Sequence, residues 1–138
     1  MGLVFEVPGE PRGKGRPRFS KQGHRPYTDS ETKAYEDKIV AYYRKAYQGF
    51  RWPDNAFLEI TVTAHYPIPK SATKTATAGM QAGRILPIRK PDVDNVLKVV
   101  LDALNGVAYK DDARVVSVSA RKIYSLTPKL VVEMKGAE

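Results

Sequence analysis

The sequence predicts one α/β domain, of the α+β kind, with the element order β-α-β-α-β-β across residues 1–138. Three observations carry that reading. The chain has 138 residues, about one domain at roughly 100–200 residues each. Apolar residues make up 42% and charged residues 28%, the mix of a folded globular domain and not of a disordered or collagen-like chain. Apolar positions recur every second residue in some stretches and at helical spacing in others, which interleaves strands with helices.

Residues 3–7 alternate in β-prone side chains and read as a first strand. From 8 to 27 there are four Pro, four Gly and six Lys or Arg against one Glu. Nothing periodic is expected there, so the segment reads as a basic loop. Thr28 with Glu31 has capping-box spacing. A helix follows to about residue 47, and Gly49 is placed to end it. Tyr35, Ile39, Tyr42, Tyr43 and Ala46 form its apolar stripe. Residues 56–66 alternate, with Ala56, Leu58, Ile60, Val62, Ala64 and Tyr66 on one face, as in a half-buried strand. Residues 67–91 are rich in Pro, Thr, Ala, Lys and Gly. A short helix near 72–83 is one reading; a long mobile loop is the favoured one, and such loops often carry function. Residues 93–105 read as a second helix ended by Asn105–Gly106. Residues 115–124 and 130–134 read as two last strands joined by a turn containing Pro128.

Composition excludes several chemistries. Cys is absent and His numbers two, so disulfide scaffolds, Cys-ligated metals and a Cys nucleophile are out. No run approaches the ~18 apolar residues of a membrane span. The first residues lack the pattern of a secretory signal, so a cytoplasmic location is expected. The net charge is +8 and the pI about 9.7, which suit a polyanionic partner such as nucleic acid.

Against that background, five of the eight Asp lie between residues 92 and 112. On a helix, Asp94, Lys98 and Asp102 share one face, with Asn95 and Asn105 beside them. Val93, Val96, Leu97, Val100 and Leu104 fall on the other and are expected to face the core. Asp92 stands at the helix start, and a turn could return Asp111 and Asp112 towards it. Hard divalent cations take oxygen ligands, and Mg²⁺ combines one or two carboxylates with water and substrate phosphate. Carboxylates alone would repel phosphate, so their concentration in a basic chain argues for a metal. Plainer roles exist for the same residues: Asp92 or Asp94 as a helix cap, Asp94–Lys98 as a surface pair, and Asp111–Asp112 as a turn.

The loop GEPRGKGRPRF does not match a phosphate-binding loop, which needs four residues between its glycines and a hydroxyl after Lys. It suits a clamp on the phosphodiester backbone, with Arg12, Lys14, Arg16, Arg18 and Lys21 as candidates. A solvated basic loop is the alternative. His65 is expected at the surface, Trp52 in local packing, and His24 in the basic loop, where a phosphate contact is the less favoured of its two readings.

Taken together, these segments resemble the RusA family of Holliday junction resolvases. The resemblance runs from LVFEVPGEPRGKGRPRF through YTDSETKAYE to RKPDVDNVLKVVLDALNGVAYKDDARVV and the closing KIY and PKLVVEM. It implies a mixed sheet packed by two main helices, a homodimer, and Mg²⁺-dependent nicking of four-way DNA junctions, with Mn²⁺ as a substitute. Carried over by position, the metal-binding acids are Asp92, Asp94 and Asp112, with Asp111 a further match, and the functional lysine is Lys98. The 67–91 stretch is the least matched part, and its own Lys70, Lys74, Arg84, Arg89 and Lys90 are candidates to contact DNA arms. A nuclease of flaps or forks and a non-enzymatic branched-DNA-binding dimer are the other readings.

Overall fold

The computed structural model describes residues 2–15, 18–21, 23 and 26–137, with only the backbone of Arg18. The elements run β1 (Gly2–Pro8), β2 (Arg18–Phe19), β3 (Pro26–Tyr27), α1 (Ser30–Ala46), β4 (Leu58–Pro67), α2 (Lys74–Gln81), α3 (Val93–Leu104), a 3-10 turn (Asp112–Arg114), β5 (Val115–Ser125) and β6 (Lys129–Gly136). The main sheet has the order β1-β6-β4-β5. β6 is antiparallel to both β1 and β4, while β4 and β5 run parallel. A parallel pair needs a long crossover, and residues 68–114, with α2 and α3, supply it. The sheet is therefore mixed, as expected. The last two strands do not pair with each other, because β4 lies between them.

Alternation in β4 buries Leu58, Ile60, Val62, Ala64 and Tyr66, and leaves Glu59, Thr61 and His65 half-buried. With Phe5, Val7, Leu130, Val132 and Met134 they form the sheet side of the core. Tyr35, Ile39 and Tyr43 from α1 and Val96, Val99, Val100 and Leu104 from α3 form the helix side. The exposed edge of β1 is occupied by a side chain. The Val4 amide donates to the Tyr47 hydroxyl, which donates to the Val4 carbonyl, both at 2.7 Å.

Four expectations need correcting. The α1 cap is Asp29, one residue beyond Thr28: its carboxylate accepts from the Thr32 amide at 2.9 Å and the Thr32 hydroxyl at 2.7 Å. The basic loop is not wholly irregular, since β2 and β3 form a two-residue ladder within it. The 67–91 segment carries α2, whose cap Thr73 accepts from the Ala76 amide. The buried stripe of α3 is rotated. Val99 and Ala103 are inside, Leu97 is half-buried and Val93 is exposed, because α3 is held between α1 on one side and β4 and β5 on another.

Candidate active site

Residues 10–15 cross the start of α3 as a strap. Two glycines allow the close approach. A Cβ on Gly13 would sit 2.6 Å from Pro91 Cβ and 3.1 Å from Asn95 Cβ, and one on Gly15 would collide with the Asp29 carboxylate and the Thr32 hydroxyl. Between them, the Lys14 amide donates to the Asn95 carbonyl at 2.9 Å, and the Gly15 amide to Thr32 Oγ1 at 3.0 Å. The strap is thus tied to α3 and to the cap of α1.

Lys14 departs from its expected role on a phosphate clamp. Its ammonium turns inward to Glu36 at 3.0 Å and Asp102 at 3.1 Å. Burial pulls its pKa down, but the two carboxylates outweigh that and leave it raised. An ammonium held by two protein carboxylates has little left to offer a phosphate. Glu36, on α1, was not singled out by the sequence. The available signal was its helical spacing: Glu36 shares a face of α1 with Thr32, Ile39 and Tyr43, all of them buried.

The acids fall into two sets. Asp92 occupies the N-cap position of α3, yet its side chain makes no capping bond. Both its oxygens accept from Lys90 Nζ, at 2.9 and 2.8 Å. That hydrogen bond, first among its influences, holds the Asp92 carboxyl below its usual range. Asp94 and Lys98 lie exposed along α3, one turn apart. The second set is at the helix C-terminus. Asp111 caps the 3-10 turn by accepting from the Ala113 amide at 2.9 Å. Asp112 is half-buried, and its Oδ1 lies 3.0 Å from the Tyr109 hydroxyl, which also reaches the Leu101 carbonyl at 3.0 Å. Burial, with the charges of Asp102 and Asp111, pushes the Asp112 carboxyl up.

The structure therefore brings Asp102 and Asp111 within electrostatic reach of Asp112 and ties Asp92 to Lys90. Contrary to expectation, the turn after α3 leaves Asp112 at the helix C-terminal end, beside Tyr109 and Leu101, and does not return it to the helix start. Among the described residues, no three acidic or imidazole side chains converge as a cation site. Of the basic candidates, Arg12 is exposed and 3.6 Å from Glu31, and Lys21, Arg89 and Lys90 are exposed. Arg16 and His24, and the side chain of Arg18, lie outside the described residues. His65 is half-buried on β4. Tyr109 and Lys122, which donates to the Arg89 carbonyl at 2.6 Å, were missed by sequence reasoning. For Tyr109 the available signal was its place three residues before Asp112.

Together these elements form a small α+β domain in which a strap carrying Arg12 and Lys14 lies over an acidic helix. Residues 8–135 match the model of the endodeoxyribonuclease RusA, and the chain belongs to that family. It is also 34% identical over 139 residues to the uncharacterized protein YqaN of Bacillus subtilis (strain 168), covering 96% of this chain and 95% of that protein. No helix among the described residues is long and apolar enough to cross a membrane.

Proposed function

We propose that this protein is a divalent-metal-dependent endodeoxyribonuclease that resolves four-way DNA junctions in recombination and repair, acting as a homodimer that makes paired, symmetric nicks. One observation carries the reading. A chain of net charge +8 places five of its eight Asp between residues 92 and 112, on α3 and the turn after it, beside a basic strap. Membership of the endodeoxyribonuclease family supports the nuclease half.

The donors suit a hard cation. They are all oxygens, Lys90 keeps Asp92 ionised as a ligand must be, and Asp112 sits among like charges that a cation would relieve. Asp92, Asp94 and Asp112, with Asp111 next to Asp112, are the residues that would hold Mg²⁺ or Mn²⁺; among the described residues they do not converge on one point, so cation binding would have to draw the two sets together. When bound, the metal supplies an acidified water and charge neutralisation at the scissile phosphate.

The chain's own residues do the rest. Lys98, on the face of Asp94, neutralises a phosphate oxygen or orients the attacking water. Tyr109 fixes the Asp112 rotamer. Arg12, Lys21, Arg89 and Lys90, with Arg16 and Arg18 from the same basic run, take backbone phosphates and set the register of the DNA. In-line attack leaves a 5′-phosphate and a 3′-hydroxyl, so the nicks can be ligated. A four-way junction is roughly two-fold symmetric, and a two-fold dimer matches it with two active sites at fixed spacing.

A substrate panel tests this: labelled four-way junction, flap, fork and linear duplex, each with Mg²⁺. Preferred cutting of the junction is expected. Equal cutting of flaps or forks would replace junction resolution with general branched-DNA cleavage, and binding without cutting under any divalent metal would leave a DNA-binding protein.

A further inference from the structure

The 67–91 segment, the part of the chain that the acidic helix does not explain, closes over a cavity of about 380 Å³. That lies within the ~300–1,000 Å³ typical of small-molecule sites. Its floor is set by sheet register. Tyr66 on β4 and Tyr124 on β5 are direct partners on the two parallel strands, near the strands' C-terminal ends, and both line the cavity. Pro67, Pro69 and Pro87 add apolar wall, and Lys70, Arg89 and Lys90 add positive charge. The Tyr66 hydroxyl is buried and finds no hydrogen-bond partner among the described residues. Lys122 holds the cavity's far side in place, donating to the Arg89 carbonyl at 2.6 Å with its ammonium 5.9 Å from the centre of the Tyr66 ring.

Two features say what such a cavity would take. Aromatic and proline walls beside three cations suit a flat ring joined to a phosphate, since bases stack on aromatic side chains and cations hold the backbone. Glu10 lines this cavity and the larger one of about 760 Å³ beside it. A carboxylate repels a bare phosphate but accepts hydrogen bonds from a base's N–H groups. Location says which nucleotide. Lys90 lines the cavity and at the same time holds Asp92 at 2.8 Å, so an occupant lies one side chain from Asp92, one of the candidate catalytic acids.

We propose that this cavity is a nucleotide pocket, and that it receives one unpaired nucleotide displaced from the branch point, with its base between Tyr66, Tyr124 and the proline wall and its phosphate on Lys70 and Arg89. The inference rests on the junction reading above and adds to it a site that selects open branch points over continuous duplex.

The test uses the full-length protein and four-way junctions in Ca²⁺ to allow binding without turnover, with an abasic residue placed in turn at each branch-point position. In the wild type, one abasic position should weaken binding roughly tenfold, the scale of one lost stacking contact. Tyr124→Ala should lower affinity for the intact junction and abolish that difference. Lys70→Ala should weaken intact and abasic junctions alike, because it touches phosphate. Tyr66→Phe, which keeps the ring, should preserve the abasic effect. Indifference to every abasic position in a wild type that still cuts junctions would overturn the pocket and leave the nuclease reading intact. Failure to bind or cut any junction would overturn both.

Discussion

Lys14 joins three parts of the chain, and its inward turn is testable by itself. Its ammonium is the counter-charge for Glu36 on α1 and Asp102 on α3. Removing one partner of a largely buried pair leaves the other charge uncompensated. Lys14→Met should therefore cost about 1–3 kcal/mol, less than a fully buried pair because solvent reaches Asp102. Urea denaturation measures it, and adding Glu36→Gln to Lys14→Met should cost less than the sum of the two single changes. Tyr109 offers a second case. Tyr109→Phe frees the Asp112 carboxylate and should reduce junction cleavage about 10–100-fold, as loss of a ligand's supporting hydrogen bond does. Folding should weaken by only about 0.5–1.5 kcal/mol. The Asp cluster was legible because a reversal of charge sign survives any folding. The direction of Lys14 was not, since a run of basic residues states charge and not orientation. Glu36, its partner, lies 22 residues away.

Among the elements, the strap and the β1 edge depend on single residues. Gly13→Ala places a methyl group against Pro91 and Asn95, so the strap must lift from α3. A loss of about 1–3 kcal/mol follows from overpacking of this kind, read as a lower urea midpoint, together with weaker junction binding. Tyr47 covers the exposed edge of β1 with a pair of hydrogen bonds. Tyr47→Phe should cost about 1–2 kcal/mol and increase concentration-dependent association, because bare strand edges pair with other chains. Most elements were readable from periodicity, and those that were not failed for local reasons. Thr28 and Asp29 are both good caps, and only the reach of Asp29 to the Thr32 amide and hydroxyl separates them. The apolar face of α3 was offset because Val93 projects beyond its neighbours, whereas Val99 and Ala103 face into the packing. The helix at 74–81 is short and has no apolar stripe, so composition suggested a loop. The placement of β6 between β1 and β4 is non-local and leaves no mark in the sequence.

At the scale of the whole molecule, charge governs behaviour. Junction affinity should fall by orders of magnitude between roughly 50 and 200 mM salt as phosphate contacts release counterions. A flat response would contradict the basic face. Stability should also depend on pH through His65. Burial lowers its pKa, with Lys129 and Arg121 acting in the same direction and Glu6 against them. The native state thus favours neutral imidazole, so the unfolded chain takes up the proton first as pH falls. Stability should decline below about pH 6.5, and His65→Gln should flatten that part of the profile. The fold class, the acidic helix and the family were all legible from sequence. The nucleotide-sized cavity was not, because the register that sets Tyr66 beside Tyr124 joins residues 58 apart in number.

On the proposed reading, the acids of α3 and its following turn act as the nuclease centre. Its most direct test is cleavage of a synthetic four-way junction labelled on each strand in turn, with Mg²⁺, with EDTA, and with Asp94→Asn and Asp112→Asn variants of confirmed folding. Paired nicks on opposing strands are expected with Mg²⁺ alone, with cutting lost and binding retained in both variants. Undiminished cleavage by both variants, or cleavage in EDTA, would contradict that reading.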